Sequence, residues 1–552
     1  MSTSWYRLGA AERPNIILVL ADDQGIGDVG VHGNMHLRTP NLDKFAQFGT
    51  RFTRFYVEPV CAPTRAAIMT GRYYYRTGVI HTSRGGAKMH GDEFTLAEML
   101  KRGGYRTGIF GKWHLGDNYP MRPQDQGFDE TLVHRSGGIG QPPDKPNGYF
   151  NPILWHNGRR IKAQGYCTDV FFDAALDYID RMKGERFFVY LPLNAPHTPL
   201  EIGDRYLKNY RAMGLDETTA RVYGMVENID DNFGHLLDRL DELDLRRNTV
   251  LIFMTDNGAQ QNRFNAGFRG RKSWTYEGGV RVPFFVQWPE QMRPGKTVDR
   301  VAAHIDLMPT FAELAGIEFG QAPAFDGRSL VPLMMGSSSK WSDRMVFLQC
   351  HRGLTPKAFQ NSAVVTQRYK LVGHPGTFGK EDLNQGGEPE LELYDLENDP
   401  GEAKDLAKSQ PQVTSHLRAG YEQWFANMRA ARNFRPGVIH LGNAREPAAT
   451  LCRYQDSTFV DGKPTGWPVK IEKGGRYRIV VKRSDSDASG RLFVKWLGKV
   501  QSRPLLFGGS SATVRLDAGS GEVDIWLQED GKPRFVISDN SPLGDVAIQL
   551  LD

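Results

Sequence analysis

The chain is poor in cysteine: its 552 residues carry four, Cys61, Cys167, Cys350 and Cys452. So few, so widely spaced, exclude a disulfide framework, and the lack of any Cys-x-x-Cys pair removes the usual sign of a zinc or redox centre. Long apolar runs are missing too. The longest, such as Asn15–Ala21, fall far short of the roughly 20 residues that cross a bilayer, so no membrane span is expected. There is no block of Lys and Arg, and the net charge of +5 is mild for this length, which argues against a nucleic-acid partner. Internal repeats and low-complexity tracts are absent. Met1 to Ala10 lacks the basic-then-apolar pattern of a signal peptide, which leaves a cytoplasmic location or an exported protein whose leader is not in this sequence. What remains is a globular composition, 40% hydrophobic and 24% charged, with ample material for a core.

Short strand-like runs alternate with amphipathic helical segments over the first 330 or so residues. Asn15–Ala21, Thr107–Phe110, Phe187–Leu191, Val250–Met254 and Phe284–Gln287 read as strands. Thr95–Arg102, Cys167–Met182 and Glu217–Leu243 read as helices. That rhythm predicts an α/β fold, a mostly parallel sheet covered by helices on both faces. Further on, Gln367–Val372 and Glu390–Asp395 read as a small antiparallel pair, and Val413–Ala430 as a helix. Beyond Pro447 the alternation of Val469–Glu472, Arg476–Val481, Leu492–Trp496, Ala512–Leu516, Glu522–Gln528 and Arg534–Ile537 predicts a β-sandwich. The expected domains are 1–343, a catalytic α/β unit; 344–446, a small α+β subdomain; and 447–552, the sandwich.

Chemistry-bearing residues gather where strands end, which is where open α/β sheets bind ligands. Asp22 and Asp23 follow the first strand, Lys112 and His114 another, His197 another, and Asp256 and Asn257 another. A strand-terminal Asp is most often a turn or cap residue. Three carboxylates and an amide oxygen together form a hard oxygen set suited to Ca²⁺ or Mg²⁺. Cys61 stands in the run Val60-Cys61-Ala62-Pro63-Thr64-Arg65, followed by Thr70-Gly71-Arg72. Punctuated by proline and glycine, this stretch suits a strand-to-helix turn presenting one side chain.

This Cys-x-Pro-x-Arg run resembles the signature of the type I, formylglycine-dependent sulfatases of the alkaline phosphatase superfamily. Further segments carry the same resemblance in order: Phe110 to Gly116 (Gly-Lys-Trp-His), Asn194 to Pro199 (His-x-Pro), Lys272 to Gly279 (Lys-x-x-x-Tyr-Glu-Gly-Gly) and, later, Tyr394 to Pro400. The resemblance implies an alkaline-phosphatase-like large mixed sheet sandwiched by helices. It also implies a Cα-formylglycine made from Cys61 by a formylglycine-generating maturation enzyme, and a divalent cation, Ca²⁺ with Mg²⁺ possible, held by Asp22, Asp23, Asp256, Asn257 and position 61. The roles it implies are attack on sulfur by the hydrated aldehyde with Asp256 accepting its proton, Arg65 holding the nucleophile, and Lys112 and Lys272 neutralising the sulfate. His197 protonates the leaving oxygen and His114 takes the proton that expels sulfate. Thr64 and Ala66 stand where the family often has serine, with no charged or nucleophilic group lost.

The likeness is greatest to bacterial polysaccharide sulfatases, through His134–Asp144 and the β-rich tail. It implies a sulfated carbohydrate or small-molecule substrate and a periplasmic or secreted protein. Basic loop residues Arg84, Lys88, His134, Arg135, His351 and Arg352 are candidates for further anionic groups of that substrate. Trp467, Trp496 and Trp526 are either sugar platforms or sandwich core, the commoner fate. Two rival readings stay open: a phosphonate monoester or phosphodiester hydrolase using the same nucleophile, and a calcium-dependent sulfated-glycan binding protein in which Cys61 remains a thiol.

Overall fold

The computed structural model describes residues 13–318, 324–337, 341–351, 355–373, 390–460, 463–481, 490–505, 511–529 and 545–552. Ten strands form the large sheet: β1 (Asn15–Ala21), β2 (Thr50–Phe52), β3 (Arg106–Lys112), β4 (Glu130–His134), β5 (Ile153–His156), β6 (Arg159–Lys162), β7 (Phe187–Pro192), β8 (Thr249–Thr255), β9 (Phe284–Gln287) and β10 (Lys296–Val298). Their spatial order is β10-β2-β9-β8-β1-β7-β3-β4-β5-β6. The five central strands, β8 to β4 in that order, run parallel. Antiparallel pairs at β9–β8, β9–β2, β4–β5 and β5–β6 flank them. The sheet is therefore mixed: a parallel centre is flanked by antiparallel pairs, of which only β5 and β6 are joined by a tight hairpin, His156 pairing with Arg159.

Alternation along β1 shows why its sequence is apolar throughout. Ile16, Leu18 and Leu20 enter one core, while Ile17, Val19 and Ala21 enter another. A strand buried on both faces has no polar side to show. On the first face lie α1 (Cys61–Thr70), α2 (Leu96–Arg102) and α5 (Leu307–Leu314); on the second lie α3 (Cys167–Met182) and α4 (Glu217–Glu242). Helix α3 buries Phe171, Phe172, Ala175, Tyr178 and Ile179, an i, i+4, i+7 stripe. Helix α2 starts on a reciprocal capping box between Thr95 and Glu98.

A four-stranded antiparallel meander follows: Val346–Gln349, Ser362–Val365, Tyr369–Gly373 and Leu391–Asp395. Helix α6 (Pro411–Arg432) lies against it, its Trp424 stacked on Phe347 at 5.3 Å. The tail forms a five-stranded and a four-stranded sheet around one core that includes Trp467, Trp496, Tyr477, Ile479, Val514 and Val546. Strand Ile439–Leu441 pairs with Trp467–Ile471, so the first of these sheets draws on residues upstream of 447. All three tail tryptophans are buried, Trp526 stacking on Phe493; they are core, not sugar platforms. The expected strand Arg534–Ile537 lies outside the described residues. No helix among the described residues is long and apolar enough to cross a membrane.

Candidate active site

The carboxyl ends of β1, β3, β7 and β8 converge on the start of α1. Cys61 is the first residue of that helix, entered from extended Val60 (φ −150°, ψ 153°), and all ten helix residues are buried. Arg65 lies one turn on, on the same face as Cys61. Its guanidinium donates from Nε (3.1 Å) and Nη2 (2.8 Å) to Asp256 Oδ2, and from Nη1 to the Lys112 carbonyl at 2.9 Å. One oxygen of Asp22, one of Asp256 and the Cys61 sulfur all lie within 4.8 Å of one another.

Two lysines close this centre. Lys112 Nζ sits 2.6 Å from Asp22 Oδ2, and Lys272 Nζ sits 2.6 Å from Asp23 Oδ1. Asn257 Nδ2 donates to Asp23 Oδ1 at 2.7 Å, and the Asp23 backbone N–H meets Asp256 Oδ1 at 3.2 Å. Asp23 adopts a left-handed backbone, φ 65°. Two buried acceptors, Asp22 Oδ1 and Asn257 Oδ1, have no hydrogen-bond partner. Unpaired acceptors beside three carboxylates fit a hard divalent cation with oxygen ligands. The thiol sulfur is the one misfit in that donor set. Burial raises the Cys61 pKa despite Lys112 and Lys272, so the group is a neutral thiol rather than a ready thiolate.

The histidine tautomers follow from their carbonyl partners. His114 Nε2 lies 2.8 Å from the Thr82 carbonyl and carries the hydrogen, which leaves the unpartnered Nδ1 as an acceptor. His197 Nδ1 lies 2.7 Å from the Thr198 carbonyl, while its Nε2 is 3.8 Å from Asp23 Oδ2. Burial holds both rings neutral. Repulsion from Lys112 adds to this at His114, and repulsion from Lys272 at His197, which falls to about 3. Burial raises Asp256 to about 6, reinforced by Asp22. It also raises Asp22 against the pull of Lys112. At Asp23 burial is outweighed by Lys272 and His197, and the carboxyl is held low.

The outer candidates divide. His134 faces the centre: it is paired in register with Lys112, its Nε2 is buried without a partner, and burial lowers it to about 3. Lys88 is buried, and its ammonium donates to the Asp456 carbonyl at 2.7 Å. Arg135 is paired with Asp144 and lies over the Trp155 ring at 4.2 Å. The Arg84 backbone N–H bonds the Tyr454 carbonyl. His351 is buried with Nδ1 2.9 Å from Gln360 Oε1; Arg352 lies outside the described residues. Lys88 and Arg135 are thus engaged within the protein rather than extended into solvent.

Supports of the site that carry no recognisable spacing escaped the sequence reading. Arg263 forms a buried pair with Asp28 and donates to the Asp23 carbonyl at 3.1 Å, bracing the left-handed turn. The Tyr149 hydroxyl lies 2.7 Å from the carbonyls of both Asn194 and His197. Each pair is remote in sequence, and only the fold joins it.

Known proteins resemble this chain throughout the region just described. The sulfatase family matches residues 14–317, and the family described as N-sulphoglucosamine sulphohydrolase, C-terminal, matches residues 268–426. Human arylsulfatase A is 31% identical over 505 residues, covering 82% of this chain and 95% of that one. The N-acetylgalactosamine-6-sulfatase of Canis lupus familiaris is 32% identical over 408 residues, 68% of this chain and 75% of its own. The crystal structure of Ps i-CgsB in complex with k-i-k-neocarrahexaose superposes with a TM-score of 0.66 at 30% identity, covering 75% of this chain and 92% of that one. The chain belongs to the sulfatase family and is a sulfuric ester hydrolase.

Proposed function

We propose that this sulfatase removes sulfate from a carbohydrate, with Cys61 matured to Cα-formylglycine and a divalent cation, Ca²⁺ or Mg²⁺, held by Asp22, Asp23, Asp256, Asn257 and position 61. The observation that carries the reading is the convergence of Cys61 with Asp22 and Asp256 within 4.8 Å. A hydrated aldehyde at position 61 supplies an oxygen donor and nucleophile where the thiol is a poor ligand. The cation, when bound, lowers the pKa of that hydroxyl and stabilises charge on the sulfate oxygens.

The chain's own residues do the rest. Arg65, fixed on Asp256 and the Lys112 carbonyl, orients the nucleophile. Asp256, raised to about 6 by burial, is poised to accept its proton. Lys112 and Lys272 neutralise the sulfate, a preorganised charge worth several kcal/mol (about 3–4 for one such donor). The anionic ester offsets the repulsion that keeps His197 neutral, and Nε2 takes up the proton it passes to the leaving oxygen. His114, Nε2–H on Thr82 and Nδ1 bare, accepts the proton whose loss releases sulfate. The formylglycine-generating enzyme is the partner this chemistry requires.

Carbohydrate as the carrier is supported by the neocarrahexaose bound in the structure of Ps i-CgsB and by the N-acetylgalactosamine-6-sulfatases among the relatives. Export to the periplasm or beyond fits a polymeric substrate. The test is free sulfate released from a panel of sulfated polysaccharides and their oligosaccharides by protein co-produced with a formylglycine-generating enzyme. Release from a carbohydrate, lost in Cys61→Ala, is the expected result. No release from any carbohydrate, with peptide mass confirming the aldehyde and aryl sulfates turned over, would overturn the carbohydrate reading.

A further inference from the structure

The β-sandwich brings a short helix, α7 (Arg453–Asp456), up to the active site. It presses against two loops, each of which touches a histidine of the site. The first loop runs from Thr82 to Lys88. Its backbone N–H groups at Arg84 and Gly85 donate to the carbonyls of Tyr454 and Gln455, each at 2.8 Å. The buried Lys88 ammonium reaches the Asp456 carbonyl at 2.7 Å. Gly85 has φ +79°, and a Cβ there would stand 3.0 Å from the Ser457 carbonyl oxygen, so helix and loop are in close contact. At its other end this loop offers the Thr82 carbonyl that holds His114 Nε2.

The second loop runs from Ser136 to Gln141. The Gln455 side-chain amide donates to the Ser136 hydroxyl and lies 3.5 Å from Gln141 Oε1. Gly137 and Gly138 sit between those two anchors. A Cβ on Gly137 would stand 2.6 Å from His114 Nε2, and one on Gly138 would stand 3.0 Å from His197 Nδ1. Both rings therefore lean on a loop held by the sandwich. Lys88, His114, Ser136, Gln455 and Asp456 border a single small cavity between the helix and the first ring. Gln455 is 5% exposed. A cover alone needs no buried amide here, and buried polar networks fix geometry when they are satisfied.

We propose that α7 is a positioning element of the active site, in which Gln455 and Lys88 hold the loops that set His114 and His197. This rests on the reading above that the two histidines move protons. Displacing a catalytic ring by about 1 Å costs up to about 100-fold in rate; loosening one of two anchors is expected to cost about tenfold.

The test compares Gln455→Ala, Gln455→Glu and Lys88→Met with the matured wild type on a small aryl sulfate, which is too small to need the sandwich for binding. Gln455→Ala and Lys88→Met are expected to lower kcat about tenfold with KM within about threefold. Gln455→Glu, which keeps the length but loses the amide donor that faces Ser136 and Gln141, recovers little of that loss. Exposed Lys499→Ala in the sandwich changes nothing. A readout independent of turnover is the Cε1–H NMR signals of His114 and His197, assigned by His114→Gln and His197→Gln. They are expected to shift in Gln455→Ala and Lys88→Met and to stay in Lys499→Ala. Unmoved histidine signals, or unchanged kcat at equal formylglycine content, overturn the proposal. Shifted signals in a matured protein that hydrolyses no ester would uphold it and count against the mechanism instead. If Gln455→Ala does not fold, Lys88→Met carries the same two measurements.

Discussion

Two of the buried charge clusters among the described residues are completed differently. In one, Lys370 lies between Glu277 (2.9 Å) and Glu402 (2.8 Å), all three side chains fully buried. Tyr56 and Arg281 complete Glu277, and the Glu277 backbone N–H completes Glu402. Every carboxylate oxygen there lies against a cation or a donor, Glu402 Oε1 through its 2.8 Å ion pair with Lys370 and without a hydrogen bond, and the cluster ties the meander to the large domain. In the other, around Cys61, three carboxylates face Arg65, Lys112 and Lys272, yet Asp22 Oδ1, Asn257 Oδ1 and His114 Nδ1 are buried without partners. Buried polar groups normally find partners because an unmade bond costs about 1–3 kcal/mol. A cluster that leaves several unmade in one place is shaped for something that arrives. The number of unmade bonds gathered in one place, more than charge, separates site from scaffold.

The sharpest way to break that comparison is to remove one lysine from each cluster. Lys272→Met is expected to lower sulfate-ester turnover by about 10²–10³-fold and, because Asp23 keeps Asn257 and His197 beside it, to lower the melting temperature less than Lys370→Met does, measured side by side on matured protein. Unfolding of this variant with no loss of activity per folded molecule would erase the distinction. Lys370→Met leaves the buried Glu402 without its cation and Glu277 with Arg281 alone, and is expected to cost about 3–5 kcal/mol in denaturant unfolding, while the folded fraction keeps wild-type kcat.

A smaller effect sharpens the contrast through pH. Burial raises Glu402 to about 7, with Lys370 opposing and Glu277 reinforcing; an unfolded Glu titrates near about 4.3. The folded state therefore binds the proton more tightly. Stability from this group is fully present below the unfolded value and is lost as pH rises through about 7. Glu402→Gln is expected to flatten the fall in stability between about pH 4.5 and 8 by on the order of 1–3 kcal/mol, read from unfolding curves at several pH values. An unchanged slope would mean that the Lys370 pair keeps Glu402 ionised throughout.

Much of the fold was legible because its strands are short, apolar and β-branched. The expected strand Phe284–Gln287 and helix Cys167–Met182 have the limits found in the structure. The sheet's edges were not legible: β5 and β6 carry partly exposed residues such as Trp155, Arg159 and Arg160, without the apolar run that marked β1. The site residues lie beside strand ends and in spacings that read locally, so Asp22, Lys112, His197 and Asp256 could be picked out one by one. Lys88 and Arg135 looked like free loop cations, because a sequence does not reveal that the carbonyl of Asp456 or the carboxylate of Asp144 waits beside them.

By itself the sequence determined the α/β alternation, the resemblance at Cys61 and the identity of the charged groups around it, since each depends on residues near one another in the chain. Tertiary structure alone decided which acceptors stay unpaired, which tautomers the histidines take, and that a helix from the sandwich braces the loops beneath them. Those features depend on contacts between segments hundreds of residues apart, such as Arg65 with Asp256 and Ser136 with Gln455. Burial then sets the charge of each group by removing water that no local pattern records.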